Sequence, residues 1–279
     1  MILVSLACQM GNQMFQYAFA KATAKRLHTF FLPYQSNYWY PFKLGYFKLD
    51  WFTRLIFSSE KINKQYKRIC RKLIQYKTKK RIAPDDLTVL SSFENNAYYD
   101  AFFQSETYFL FMEEKIKKCF RIKRKYRDDF EKKYGDFYRN NKVLVMHLRK
   151  TDYTEVEFEG LGGQGIALPV LYYKKTLGLI ENINEYKIIV LSDDMEAAKK
   201  EFDNNPDYLF EHNSAIIDFQ LIQHADIAII ANSSFSWWAS YLSEKKDAVI
   251  YAPKYWLGFK VSKEYPAGIH TPRFNWITF

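Results

Sequence analysis

In the second half of the chain, short apolar runs alternate with amphipathic stretches, and this alternation limits the fold more than any other feature. Residues 142–148 (KVLVMHL), 186–191 (YKIIVL), 226–231 (DIAIIA) and 248–252 read as strands, with a further short strand near 208–210. Residues 169–181, 194–202, 215–224 and 235–242 read as helices, and Ile216, Phe219, Leu221 and Ile222 give the third its apolar face. Strands alternating with helices predict a parallel sheet covered on both faces. In such sheets ligands bind in the crevice beyond the carboxyl ends of the strands, so chemistry is expected just after each strand.

Three of those strand ends are polar. The first runs His147-Leu148-Arg149-Lys150-Thr151-Asp152-Tyr153, the next ends in Ser192-Asp193-Asp194, and the last in Asn232-Ser233-Ser234-Phe235-Ser236, which opens a helix. A helix N-terminus offers free N–H groups and a partial positive charge, which suits an anion. Ser233, Ser234 and Ser236 add hydroxyl donors, and Arg149 adds a planar fork suited to a diphosphate. Asp193 can accept from the amino and imino groups of a guanine edge. Together these make a nucleotide-diphosphate site. Each element also has a plainer reading. Ser233 or Ser234 can cap the helix at 235–242, and Asp193 or Asp194 the helix that begins at 194. His147 can be a satisfied core histidine, and Arg149 with Asp152, three residues on, a structural ion pair.

The first half is less regular. Residues 1–7 form an apolar run, Gly11 marks a turn, and Met14, Ala18, Ala22 and Leu27 then recur at helical spacing. An aromatic stretch at 34–52 carries Pro41 and follows Pro33, which argues against one long element. Those rings read chiefly as core, with an acceptor-binding platform as the alternative. The chain is basic, with 41 Lys and Arg against 31 Asp and Glu. That balance favours polyanionic partners: nucleic acid, a membrane surface or a phosphorylated substrate. Ten of the basic residues fall in 61–81 and eight in 115–127, with no acid in either stretch. Both stretches read as basic amphipathic helices, either solvated or resting on an anionic membrane. No nucleic-acid motif is present, so nucleic acid is not expected as a partner.

Several further features limit the answer. At 279 residues the chain suits one large domain or two ordinary ones, divided here as 1–140 and 141–279. Cys8, Cys70 and Cys119 are odd in number and widely spaced, which argues against a disulfide framework. The five histidines show no ligand spacing, so no metal is expected. No apolar run approaches the ~20 residues of a membrane span, and the N-terminus lacks a charged leader, so the protein is expected in the cytoplasm. Gly160, Gly162 and Gly165 match the dinucleotide fingerprint literally, but acidic residues precede them where an apolar strand is needed. They read as a mobile loop beside the crevice.

The chain resembles the alpha-1,2-fucosyltransferases of glycosyltransferase family 11. Gly11-Asn12-Gln13-Met14-Phe15-Gln16-Tyr17 is similar to that family's opening, and residues 147–153 look like its His-x-Arg-Arg-x-Asp-Tyr motif. Ser192-Asp193-Asp194, residues 232–238 and Ala252-Pro253-x-x-Trp256 follow in family order. The resemblance implies an α/β, GT-B-like fold of two Rossmann-type halves with parallel sheets, the first on the acceptor side and the second binding the GDP-sugar. It implies metal-independent, inverting transfer of L-fucose from GDP-beta-L-fucose to the 2-hydroxyl of a galactose-containing glycan, with no cofactor beyond the donor. Arg149 would stabilise the departing GDP, and Ser233, Ser234 and Ser236 would hold phosphates. His147 and Asp193 would contact the guanine side, and Asn12 would reach the sugar and phosphate. Asp152 would orient the motif or take the acceptor proton, with Glu155, Glu157 and Glu159 as other candidates. Lys150 stands where the family commonly has a second arginine, and Cys8-Gln9-Met10 where it usually has Gly-Gly-Leu. A glycosyltransferase of the same architecture using another nucleotide sugar or acceptor is the second reading, and a basic nucleic-acid-binding protein the third.

Overall fold

A computed structural model describes residues 1–35, 41–83, 89–203 and 205–279. The chain forms two compact units, Met1–Lys123 with Pro266–Ile269, and Arg124–Tyr265 with His270–Phe279. The division falls before the helix at 124–140 and not after it. That helix turns Phe130 and Tyr138 toward the second unit, where Phe130 stacks on His224 at 4.9 Å and Tyr138 Oη donates to the Leu221 carbonyl at 2.7 Å.

The first unit contains β1 (Ile2–Ser5), α1 (Met10–Arg26), β2 (Phe31–Tyr34), α2 (Trp51–Ile56), α3 (Glu60–Tyr76), β3 (Lys80–Ile82), β4 (Ala97–Tyr99) and α4 (Glu113–Cys119). Its strands make a parallel sheet in the order β2-β1-β4-β3. All four residues of β1 are buried, as a central strand covered on both faces requires. The aromatic richness of this half goes largely into its core. Phe19 on α1 stacks on Phe103 at 3.7 Å and meets Tyr99 and Tyr108 edge-on at 5.2 and 5.1 Å. In the 34–52 stretch Tyr34 and Phe47 are buried, while Tyr38, Trp39 and Tyr40 lie outside the described residues.

The two basic stretches part company. Residues 61–76 do lie on one amphipathic helix, α3, capped by Ser59, whose Oγ accepts from the Ile62 amide at 3.3 Å. Its apolar side, Tyr66, Cys70, Leu73 and Ile74, packs on Leu3, Leu32 and Tyr98 of the sheet. Residues 115–127 are not one helix. α4 ends at Cys119, Phe120 turns into the core at the helix C-cap, and Ile122 follows it there in an antiparallel bridge with Phe47. The Lys48 amide donates to Arg121 O and the Lys123 amide to Tyr46 O, both at 2.9 Å. The burial of both Phe120 and Ile122, two residues apart, is incompatible with one helix face and interrupts the helix.

The second unit contains α5 (Arg124–Asn140), β5 (Lys142–Leu148), α6 (Val170–Leu177), β6 (Tyr186–Ser192), α7 (Met195–Glu201), β7 (Tyr208–Glu211), α8 (Ala215–Gln223), β8 (Ile227–Ile229), α9 (Ser234–Tyr241), β9 (Val249–Pro253) and β10 (Asn275–Ile277). Its six strands are all parallel, in the order β10-β9-β8-β5-β6-β7. The sequence pattern anticipates every strand but β10, a three-residue edge strand too short to show a period. The core beneath the sheet gathers Leu144, Met146 and Leu148 of β5 with Tyr172 and Tyr173 of α6 and Phe202 after α7. β5 and β6 pair in full register, Leu148 opposite Ser192. The residues following those two strands therefore emerge side by side. The fold class is α/β with two parallel sheets, GT-B-like, as the resemblance implies.

Candidate active site

The register of β5 and β6 delivers Arg149 and Asp193 to the same end of the sheet. Arg149 Nε lies 2.8 Å from Asp152 Oδ1 and 3.2 Å from Asp193 Oδ2, and Nη2 donates to Asp152 Oδ2 at 2.9 Å. Its guanidinium also sits 5.6 Å from the centre of the Tyr153 ring. Burial works against the charge, but the Asp152 hydrogen bond and the field of Asp193 outweigh it and hold the guanidinium pKa above its ordinary value. Nη1 takes no partner among the described residues. The fork is thus fixed on its Nε side and open at its outer side, where a bidentate anion can dock.

Asp193 is the knot of this arrangement. It accepts from the Lys150 backbone amide at 2.8 Å through Oδ1, and from the Thr151 hydroxyl and Arg149 Nε through Oδ2. Both oxygens are therefore engaged by the loop after β5. Among the described residues its bonds all go to that loop, so the work the geometry shows for the carboxylate is to shape the Arg149 loop. Asp194 takes the plainer role, capping α7 through the Ala197 amide at 3.0 Å.

Lys150 faces away from the fork. Its ammonium is buried, donating to the Leu168 carbonyl at 3.1 Å and to Glu201 Oε1 on α7 at 2.7 Å. A buried lysine whose ammonium is held by a carbonyl and a carboxylate inside the fold is an anchor for the loop and is turned away from a ligand beside Arg149. Only its backbone amide joins the cluster.

His147, the penultimate residue of β5, is buried, 5.6 Å from the Phe235 ring. Burial, and then the nearby Arg149 charge, pull its pKa down to about 4, so the imidazole is neutral at neutral pH. Nδ1 is buried with no protein partner. A core histidine satisfied on both nitrogens is thus not what the chain builds.

The third strand end reaches the same region through Tyr153, whose hydroxyl donates to the Asn232 carbonyl at 3.3 Å. Burial raises that phenol to about 12, and a hydrogen bond with Ser233 opposes the rise. Ser233 stands at the N-cap of α9 but makes no side-chain capping bond. It leaves the first-turn amides uncapped by its hydroxyl, as an anion site needs. Ser234, partly exposed, opens the helix. Ser236 does not join them. Its hydroxyl is buried and turned back onto the Ser233 carbonyl at 3.1 Å. Asn232 ties down the neighbouring loop, donating from Nδ2 to the Ile166 carbonyl at 2.8 Å.

The glycine-rich loop is more anchored than expected. Gly165 N donates to Val156 O at 2.9 Å and Ile166 N to Tyr153 O at 2.7 Å, while Leu161, Ile166 and Leu168 are buried. Gly160, Gly162, Gly163 and Gly165 all have positive φ, which explains the glycines without any nucleotide. Glu155, Glu157 and Glu159 are exposed on this loop.

Asn12 belongs to the first unit. Its amide oxygen accepts from Gln104 Nε2 at 2.7 Å, and the residue is partly exposed near the start of α1. Around it the motif 11–17 is architectural. Gln13 Nε2 donates to the Cys8 and Pro41 carbonyls at 2.9 and 3.0 Å, and its Oε1 accepts from the Lys43 amide at 2.9 Å. Gln16 Oε1 accepts from Ala7 N at 2.8 Å and its Nε2 donates to Ala101 O at 3.1 Å.

Thr151, Tyr153 and Asn232 sit inside the segments the sequence reading singled out, but their particular work was not legible. It depends on which backbone group lies opposite in three dimensions. Among the described residues no group of three or more His, Cys, Asp or Glu side chains is placed to hold a metal ion.

Comparison with known proteins adds the following. A model of glycosyl transferase family 11 matches residues 1–277. An alpha-1,2-colitosyltransferase from Escherichia coli is 32% identical over 170 residues, covering 59% of this chain and 58% of that protein. The O-antigen biosynthesis glycosyltransferase WbnK, also from Escherichia coli, is 34% identical over 126 residues, covering 42% and 40%. The chain thus spans about half the length of the curated relatives it matches. Among solved structures, NodZ alpha-1,6-fucosyltransferase soaked with GDP-fucose superposes with a TM-score of 0.51 at 12% identity, covering 87% of this chain and 91% of that one. At that identity the likeness shows the fold.

Proposed function

The chain belongs to glycosyl transferase family 11, and from that premise we propose that it transfers L-fucose from GDP-beta-L-fucose to the 2-hydroxyl of a galactoside, with inversion and without a metal. The observation that carries the reading is the half-engaged Arg149 fork at the end of β5. Carboxylates fix its Nε side, and the opposite side is left for a second anion. A departing nucleoside diphosphate gains negative charge as the sugar bond breaks, and a preset guanidinium stabilises that charge without reorganising.

The other roles follow from the same geometry. The uncapped first turn of α9, with Ser233 and Ser234, receives phosphate oxygens. Neutral His147 offers a ring nitrogen to the nucleotide. Asp193 and Lys150 act as positioning residues, one shaping the Arg149 loop and the other anchoring it. Asp152 presents both oxygens to Arg149, so taking the acceptor proton requires it to release one of them. Its first role is to hold the fork, and a second carboxylate on the 155–159 loop is then free to serve as base. For Asn12 the proposed role is an amide contact to the donor.

A second reading is favoured by one finding. The relative aligned over 59% of the chain is named for transfer of colitose, so a GDP-linked colitose is the alternative donor. The test is product analysis with each GDP-sugar, lactose or N-acetyllactosamine as acceptor, and EDTA present. A 2-linked fucoside from GDP-fucose supports the first reading. Product from GDP-colitose alone establishes the second. Absence of GDP release from both donors, with or without acceptor, contradicts the reading of the site.

A further inference from the structure

The first unit holds an apolar cavity of about 600 Å³ whose lining includes Phe30, Trp51 and Phe52, together with Lys21, Lys25 and Lys115 and no acidic residue. Lys21, Ala24 and Lys25 share one face of α1, as their i, i+3, i+4 spacing dictates. Trp51, at the first position of α2, is 69% exposed and Phe30 61%. Leu55, one turn beyond Trp51, and Phe111, beside the lining residue Met112, extend the exposed apolar surface. Among the described residues none of the three lysines forms a salt bridge. Lys21 only feels the field of Asp50, whose carboxylate is held by Tyr17 and Thr53.

Large exposed aromatics bordered by unpaired lysines are the composition of a surface that rests at a membrane interface. Tryptophan favours the headgroup level, and lysine favours anionic lipid phosphates. Stable attachment takes two signals, apolar insertion and charge, and this face has both. The sequence reading put membrane contact on the basic stretches 61–81 and 115–127. α3 cannot supply the apolar half, because Tyr66, Cys70, Leu73 and Ile74 are packed on the sheet, and of the second stretch only Lys115 lines this cavity. We infer that the Phe30–Trp51 face of the first unit docks on the surface of an anionic phospholipid bilayer, the two rings at the headgroup boundary and Lys21, Lys25 and Lys115 on lipid phosphates. An acidic protein is the other class of partner the charge admits. The lining argues against it, since apart from the lysines only the Thr29 hydroxyl and the Trp51 indole N–H offer side-chain hydrogen-bonding groups, and neither is an anchor for a carboxylate-rich surface. The inference does not depend on the donor or linkage proposed above.

The test uses the full chain and sedimentation with phosphatidylcholine vesicles, with and without phosphatidylglycerol, at low salt. Binding to the anionic vesicles alone is expected. Replacing Lys21, Lys25 and Lys115 together by Gln should weaken it about a hundredfold, from about fivefold per lysine. Trp51→Ala should weaken it about tenfold. Replacing Lys64, Arg68 and Lys72 on α3 by Gln should cost less than the cavity lysines. Brominated acyl chains should quench the protein's tryptophan emission, and Trp51→Phe should remove that quenching while the variant still sediments. All these side chains lie at the surface, and circular dichroism checks that each variant is folded. The inference is overturned by no binding to anionic vesicles, by equal binding to neutral ones, or by binding that the cavity variants leave intact and the α3 variant abolishes. It is also overturned by quenching that persists in Trp51→Phe.

Discussion

Residues 11–17 of the first unit and 147–153 of the second are both polar segments that follow a central strand, but their hydrogen bonds end in different places. In the first, Gln13 and Gln16 reach backbone groups of loops up to 85 residues away, and Tyr17 bonds Asp50 at the start of α2. Every one of these bonds closes the fold on itself. In the second, Arg149 and Thr151 end on Asp152 and Asp193, and the guanidinium keeps an open side. The difference teaches that a polar motif declares its work by where its donors terminate. Buried bonds to distant backbone groups build architecture, whereas a charged group held on one side only is set for a ligand.

The strongest way to break this comparison is to remove one residue from each motif. Arg149→Ala should lower kcat/KM for transfer by about 10³-fold with little change in thermal stability. Gln13→Ala should do the reverse, costing roughly 2 kcal/mol in urea unfolding by removing a buried side chain that ties three partly buried backbone groups together, with near-normal turnover per folded molecule. If Gln13→Ala abolishes turnover at full stability, the division of labour is wrong.

The next effect comes from pH. His147 has a folded-state pKa pulled down to about 4, below the ordinary ~6.5. The unfolded chain therefore takes the proton first, so stability is full above about pH 6.5 and is lost as pH falls toward 4, by roughly 3 kcal/mol in all. His224, lowered by burial, adds to the loss with the same sign. Urea midpoints measured across this range should show the slope, and His147→Gln should flatten it. An unchanged slope would mean that His147 is not held neutral.

Lys150 sharpens the boundary between holding and binding. Lys150→Met should destabilise by roughly 2 kcal/mol, because Glu201 loses its partner in a half-buried setting. Adding Glu201→Leu should recover most of that, and GDP affinity should hold throughout. A large loss of affinity in a stable double variant would return Lys150 to the donor site. The smallest effect is expected at Cys8, which adopts a φ of +62° after β1. Cys8→Gly relieves that strain but frees the unfolded chain, so its stability should change by less than about 0.5 kcal/mol. The resembled family usually has glycine at this position, and the positive φ accounts for it without any approach to the donor.

Much of this was legible in the sequence. The second sheet could be read because its strands are continuous apolar runs separated by amphipathic helices, which is what burial on both faces imposes. β3 and β4, three residues each, and β10 carry too few residues to show a period. The helix at 124–140 was placed on the wrong side of the boundary because partner choice is decided by Phe130 and Tyr138, not by charge. The placement of Arg149 and Asp152 together after β5, and of Ser233 at the start of α9, could be read from their position after strands. The inward turn of Lys150, Asp193 and Ser236 could not. It depends on Glu201, Thr151 and the Ser233 carbonyl, which meet them only once the chain is folded.

The central claim is that the open side of Arg149 receives a diphosphate. Calorimetric titration of GDP and of guanosine into wild type and Arg149→Ala tests it most directly. The account predicts GDP affinity about a hundredfold weaker in the variant, as the loss of a bidentate charged contact implies, with guanosine affinity unchanged. Equal GDP affinity in the two proteins would contradict it.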